Sequence, residues 1–529
     1  MRQHHRTPRL LGTLLLVAAA GVSVVGAAPA AAAKTATPLG QVVPAPASVH
    51  ASGSSYRITG DTRIRVDDSR EARRVGEYLA DILRPSTGYR LPVTSHGGGG
   101  IRLELGSKSL GAEGYRLDSG KEGVTITAGK PAGLFHGVQT LRQLLPASVE
   151  KNSEQRGPWL VAGGTIKDTP RYGYRGAMLD VSRHFFSVGQ VKRYIDELAL
   201  YKVNTLHLHL SDDQGWRIAV DSWPRLATYG GSTQVGGGQG GYYTKAQYKE
   251  IVQYAASRYL EVVPEIDMPG HTNAALASYA ELNCDGVAPP LYTGTEVGFS
   301  SLCPGKPVTY DFVDDVIREL AAITPGRYLH IGGDEAHSTS HADYVAFMDK
   351  VQPLVAKYGK TVIGWHQLTG ATPAKGAIAQ YWGLDDTSDA EKAQVAKAAQ
   401  NGTGLVLSPA DRVYLDMKYT ADTPLGQDWA GLVEVRRSYD WDPGNYLPGA
   451  PASAVRGVEA PLWTETIVTS ADIDYMAFPR LPGVAELGWS PASTHDWDTY
   501  KVRLAAQGPR WEALGIGYYK SPQVPWPAQ

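Results

Sequence analysis

The sequence predicts an α/β fold, a (β/α)₈ barrel preceded by a small α+β domain. Three observations carry that expectation. From Tyr174 onward, apolar β-branched runs alternate with helical stretches, and eight such runs can be counted. Most of them end, on the C-terminal side, in charged or aromatic residues rather than in the Gly, Asn and Ser of ordinary turns, and a barrel gathers all eight such ends on one face. No strand feeds a G-x-G-x-x-G turn, which removes the main support for an open doubly wound sheet.

In chain order, residues 1–33 read as a secretory signal peptide. Arg2, Arg6 and Arg9 precede the apolar run LLGTLLLVAAAGVSVVGAA, and small residues follow in APAAAAKTA. A basic start, an apolar middle and A-x-A exits are the order of a cleaved export signal, with cleavage fitting at Ala28 or near Ala33. The run is just long enough to span a bilayer, but its glycines and small-residue exit favour cleavage. No later segment is apolar enough to span, so the mature chain is expected to be secreted, with no membrane attachment. Residues 34–52, rich in Pro, Ala and Gly, are expected to form a flexible tail.

Residues 53–170 hold short alternating runs, SYRITGDTRIRVD, IRLELGS, GYRLDSG and GVTITAG, with helical SREARRVGEYLADILRPSTG among them and AGLFHGVQTLRQLL after them. Strands and two helices in this order make the small α+β domain, which carries no chemistry-bearing cluster. Residues 171–529 hold the barrel. Its eight runs are RGAMLDVSR, VNTLHLHLSDD, LEVVPEIDMPGH, YLHIGGDE, KTVIGWHQ, AIAQYWG, TGLVLSPADRVYLD and GVEAPLWTE. Helical segments such as VGQVKRYIDELALYK and TKAQYKEIVQYAASR lie between them. At the strand ends stand Arg183, His184, Asp212, Asp213, His271, Asp334, Glu335, Trp365, His366, Trp382, Asp416, Trp463 and Glu465.

Composition narrows the function. Lys and Arg (51) nearly balance Asp and Glu (53), which argues against a nucleic-acid or polybasic membrane partner. Trp (12) and Tyr (29) far outnumber Phe (7); such amphipathic rings suit a cleft that stacks on sugars, or else serve the core. Cys284 and Cys303 are the two cysteines, and in an exported chain a pair enclosing a short loop reads as a disulfide, worth on the order of 3 kcal/mol.

Among the clusters, HLHLSDD puts His207 and His209 on one strand face at metal-pair spacing, with Asp334, Glu335 and His337 as further candidate ligands. Histidines satisfied within a filled barrel are the competing reading, and no metal or other cofactor is expected. GGDEAH contains the letters of a helicase box, but no phosphate-cradling G-x-x-x-x-G-K-[ST] loop occurs. Asp334 and Glu335 either cap a helix or do acid chemistry: cleaving a sugar acetal needs an acid for the leaving oxygen and a group that stabilises the developing cation. Trp365, Trp382 and Trp463, each at a different strand end, with Trp429 in the long insertion, tilt the choice toward a sugar site.

The motifs LHIGGDEAH, DVSRHFF, LHLHLSDDQGWR, VPEIDMPGH, GWHQ, QYWG and PLWTE together resemble glycoside hydrolase family 20, the β-N-acetylhexosaminidases, most closely secreted actinobacterial enzymes. The resemblance implies exo-acting, retaining removal of terminal β-linked GlcNAc or GalNAc, with the substrate's own 2-acetamido oxygen as nucleophile. It implies Glu335 as general acid and base, Asp334 on the acetamido nitrogen and Tyr414 on the acetamido oxygen. It further implies a tryptophan box of Trp365, Trp382 and Trp463, hydroxyl contacts from Arg183, Asp416 and Glu465, support of the acid by Asp212 and His271, and Trp429 against the leaving sugar. The expected partner is an N-acetylhexosamine-containing oligosaccharide or glycoconjugate, and the expected state a monomer. A metal-dependent hydrolase using His207 and His209, or a non-catalytic sugar-binding protein, are the alternatives.

Overall fold

All eight apolar runs become strands of one closed barrel: β1 (Tyr174–Asp180), β2 (Thr205–His209), β3 (Glu261–Glu265), β4 (Tyr328–His330), β5 (Thr361–Trp365), β6 (Ile378–Tyr381), β7 (Gly404–Leu407) and β8 (Val455–Leu462). The computed structural model describes residues 35–98 and 100–528; the signal segment read from residues 1–33 lies outside them. Each strand pairs in parallel with its successor, and β8 pairs with β1 to close the cylinder. The crossover helices bury one stripe each. In Val188–Leu200, Val191, Tyr194, Ile195 and Leu198 face inward at i, i+3, i+4 and i+7. Ser187 starts that helix with a reciprocal capping box to Gln190, a device worth about 1 kcal/mol.

Alternation along the strands sorts the barrel interior into layers. Tyr174, Val263, Ile363, Ile378 and Val406 form an apolar plug at the N-terminal end. Two residues further along the same strands the filling changes to Glu265, Trp365 and Gln380, joined by His207 and Glu459, all buried. Polar filling at this depth is costly unless every group is paired, so this layer points toward the face above it.

The small domain is a seven-stranded sheet in the order Ser48–Ala51, Gly164–Asp168, Tyr115–Gly120, Gly123–Ala128, Ile101–Leu105, Ile64–Val66, Val93–Thr94. Helices Arg70–Thr87 and Pro131–Leu144 pack against it. The expected tail over residues 34–52 is corrected here: Ser48–Ala51 is an edge strand, and Leu39, Val42 and Val43 are buried. Their burial is long-range, fixed by Gln143, which exchanges hydrogen bonds with the Val43 backbone at 2.9 and 2.6 Å, and no local pattern announces it. Glu113 holds Arg175 at 2.5 Å, and buried Asp168 accepts from Tyr115 and from Trp489 of the barrel side. Arg175 lies at the N-terminal end of β1, so the small domain braces the barrel at the end away from the strand C-termini.

Candidate active site

The turn after β4 explains why two acids can stand next to each other and still do different things. Gly332 and Gly333 have φ of +65° and +99°, and Glu335 itself has φ of +45°. A Cβ on Gly332 would lie 1.8 Å from Asp267 Oδ1, so only glycine fits, and the Gly333 amide donates to that same oxygen at 3.1 Å. The chain therefore leaves extended geometry before Asp334 and does not send the two side chains to opposite faces. Asp334 is 7 % exposed, whereas the Glu335 side chain is 26 % exposed at the mouth. Both reach one nitrogen: His271 Nε2 lies 3.1 Å from Glu335 Oε2 and 3.5 Å from Asp334 Oδ2.

His271 is the hinge of a charged row. Its Nδ1 meets Asp212 Oδ1 at 3.1 Å, and Asp212 Oδ2 meets His209 Nε2 at 2.6 Å and Arg183 Nη1 at 2.9 Å. Burial works against the imidazolium of His271, but the carboxylates of Asp212 and Asp334 raise its pKa well above the ordinary value. Asp334 answers in kind: burial would raise it, and the His271 charge and hydrogen bond lower it below the usual carboxylate range. Asp267, behind this pair, goes the other way. Burial first, then the Asp334 charge, lift it well above the carboxylate range, so Asp267 is a neutral acid facing an ionised Asp334.

These groups open into a cavity of about 200 Å³ lined by Arg183, His271, Thr295, Val297, Asp334, Glu335, Trp382, Tyr414, Asp416, Gln427, Trp429, Trp463 and Glu465. A volume below the ~300–1,000 Å³ of drug-sized sites suits a single sugar unit. The structure thus gathers every site residue expected from the sequence, all lining the cavity except Asp212 and Trp365. Asp212 lies beneath His271, and Trp365 is buried behind Trp463, ring centroids 5.7 Å apart. Aromatic rings continue from there: Trp463 to Tyr414 at 6.2 Å, Tyr414 to Trp429 at 5.9 Å, Trp429 to Trp382 at 6.1 Å. The same cavity is lined by residues with buried oxygens that have no hydrogen-bond partner among the described residues: both of Asp416, Oε2 of Glu465 and Oδ1 of Asp334. Burial and the Glu465 charge lift Asp416 well above the carboxylate range, and burial raises Glu465 although Arg183 opposes it. Carboxyl groups pushed toward the neutral form offer an O–H donor as well as acceptor oxygens, which suits hydroxyl groups.

Three lining residues were not singled out from the sequence. Thr295 and Val297 come from the loop closed by the Cys284–Cys303 disulfide, and Gln427 from the insertion after β7. The cysteine pair signalled a fixed loop but not its place at the mouth. Asp180 and Asp267, at the ends of β1 and β3, share the strand-end signal of their neighbours and could have been found by it. A far larger cavity, about 1,340 Å³, lies between the helix Arg70–Thr87 and barrel helices; it contains none of these groups.

His207 and His209 are satisfied core histidines. Each ring nitrogen of both faces a carboxylate oxygen at 2.6 to 2.8 Å. Burial opposes their charge, but Glu459 and Glu265 raise His207 to about 9, and Glu265 with Asp212 raises His209 to about 10. Imidazoliums with both N–H groups engaged have no lone pair for a cation, so this donor set does not fit a metal, close as its members lie.

The glycosyl hydrolase family 20 catalytic-domain profile matches residues 172–345 and 337–492, and the family 20 domain 2 profile matches residues 40–169. A β-N-acetylhexosaminidase of Cellulomonas fimi is 42 % identical over 492 residues, covering 92 % of this chain and 97 % of that protein. The structure is similar to that of a mutant Streptomyces plicatus β-hexosaminidase in complex with its product GlcNAc, with a TM-score of 0.93, 80 % identity, and 93 % and 99 % of the two chains covered. A β-N-acetylhexosaminidase of Streptomyces coelicolor A3(2) gives the same score and identity, with 93 % and 100 % covered.

Proposed function

The chain belongs to glycoside hydrolase family 20 and is an exo-acting β-N-acetylhexosaminidase; within that activity we propose the following division of labour among its residues. Arg183, Asp416 and Glu465 bind the hydroxyls of the terminal sugar. Trp365, Trp382 and Trp463 enclose its acetamido methyl. Tyr414 holds the acetamido oxygen and ionised Asp334 the acetamido N–H, so that the oxygen attacks the anomeric carbon. Glu335 gives its proton to the leaving oxygen as that bond breaks, and the leaving sugar departs over half-exposed Trp429. Asp334 then balances the positive charge of the oxazolinium ring. In the second half Glu335, as carboxylate, takes a proton from water; the water oxygen attacks the anomeric carbon and the acetamido group is restored. The hydrogen bond from His271, backed by Asp212, stabilises Glu335 each time it is ionised.

One observation carries this reading. Asp334 and Glu335 both reach His271 Nε2, with carboxylate oxygens within 4.8 Å of each other. That is closer than the ~5–5.5 Å of an acid and a nucleophile that flank a glycosidic bond from opposite faces, so the two do not form such a pair. The nucleophile has to come from elsewhere, and the substrate amide supplies it.

Export is part of the proposal. The signal-like segment of residues 1–33 supports it, as does the disulfide, and among the described residues no helix is long and apolar enough to cross a membrane. Chitin fragments and other oligosaccharides ending in N-acetylhexosamine are the proposed substrates. Hydrolysis of matched nitrophenyl glycosides with and without the 2-acetamido group tests the mechanism: turnover is expected only with it, and comparable rates on nitrophenyl glucoside would overturn it.

A further inference from the structure

Beneath the active site, Glu459, His207, Glu265, His209 and His330, which the scheme above does not use, lead to Asp212 and Trp365, which it does. Glu459 Oε1 lies 2.7 Å from His207 Nδ1, and His207 Nε2 lies 2.8 Å from Glu265 Oε2. The same Glu265 oxygen accepts from His209 Nδ1 at 2.6 Å, and His209 passes the contact on to Asp212. The other oxygen, Oε1, accepts the indole N–H of Trp365 at 2.8 Å. His330 Nδ1 lies 3.3 Å from Oε1, but it accepts the Gly332 amide at 3.0 Å and so backs the turn that carries Asp334 and Glu335. Glu265 thus touches both halves of the site, and it is fully buried.

Stability does not explain this arrangement. Sealed ion pairs gain little over apolar filling, and the plug one layer below shows that this barrel fills well with Val and Ile. What the carboxylate adds is a fixed spacing. Its two oxygens belong to one rigid planar group, so the acid row and the aromatic floor cannot move independently. Proton delivery and attack by the amide oxygen occur at the two ends of one bond change, and misplacement by about 1 Å costs about 10²-fold. We propose that Glu265 is a positioning residue that registers these two ends, setting Glu335 through His209, Asp212 and His271, and the acetamido box through Trp365. The inference rests on the roles proposed above for Glu335 and Trp365.

The test compares full-length wild type with Glu265→Gln on aryl N-acetylglucosaminides of good and poor leaving groups, with inhibition by a thiazoline analogue of the oxazolinium. Gln preserves volume and an acceptor for Trp365 but removes the charge that holds His209. A loss at least ~10-fold larger on the poor leaving group is expected, because proton delivery suffers while thiazoline affinity changes little. Trp365→Phe, which removes the indole N–H anchor together with part of the box wall, should weaken thiazoline binding without changing leaving-group sensitivity. Equal losses on both substrates would reduce Glu265 to a packing role and overturn the proposal. If Glu265→Gln does not fold by circular dichroism, His209→Gln carries the same comparison with the same expected and opposing results. Glu335→Gln is run alongside: if it shows no leaving-group dependence, the assignment of the acid fails and the proposal fails with it. If it does show that dependence and Glu265→Gln does not, only the positioning role fails.

Discussion

Replacing Asp334 by Asn is the most informative single change. The carboxylate is buried, ionised and held there by His271, with the neutral acid Asp267 behind it. In the proposed scheme it faces an uncharged amide in the ground state and a forming cation on the way to the oxazolinium. Two unit charges about 4 Å apart at an effective dielectric of ~20 interact by about 4 kcal/mol, and removing one preorganised group of this kind typically costs ~2.7–4 kcal/mol. The substituted amide keeps the shape and one acceptor, so in Asp334→Asn kcat should fall about 10²–10³-fold while KM changes little. Steady-state kinetics on aryl N-acetylglucosaminides with leaving groups of graded acidity read the effect. Because the loss belongs to the amide end, it should be of similar size for every leaving group. A loss under about 3-fold, or one that grows as the leaving group worsens, would refute the division of labour between the two acids.

Glu335→Gln should give the complementary pattern, a slope against leaving-group acidity, with binding of the product sugar retained. In His271→Gln, Asp334 loses the cation that lowers its pKa; a group depressed in the folded state acts above its pKa, so the acid limb of kcat/KM should move to higher pH. An unmoved acid limb would show that His271 does not set the charge of Asp334. Cys284→Ser frees the loop that brings Thr295 and Val297 to the mouth. It should lower stability by on the order of 3 kcal/mol and raise KM more than it lowers kcat, as read by thermal melts and kinetics.

The barrel was legible because its strands are buried on both faces and end in residues that turns do not want: LHLHLSDD and GWHQ announce both the strand and the site. The resemblance supplied what periodicity cannot, the expectation that Asp334 and Glu335 act on different parts of one substrate. Other features depend on contacts far apart in sequence and left no local trace. Gly332 reads as an ordinary turn glycine until Asp267 is seen to occupy the place of its Cβ. Val43 looks like part of a Pro/Ala tail until Gln143, 100 residues away, takes up its backbone. Glu265, in VPEIDMPGH, reads as one charge in a strand, and only the closed barrel brings His207, His209 and Trp365 around it.

The central claim of the proposed scheme is that the substrate's amide oxygen is the nucleophile, held by Tyr414 while Asp334 takes the amide N–H, in a box of tryptophans. Inhibition of the full-length enzyme by a GlcNAc-derived thiazoline tests it most directly, since that ring copies the charged intermediate and nothing in a two-carboxylate scheme. The account predicts competitive binding at least ~10²-fold tighter than GlcNAc itself, weakened strongly in Asp334→Asn. A thiazoline that binds an active enzyme no better than GlcNAc would contradict it.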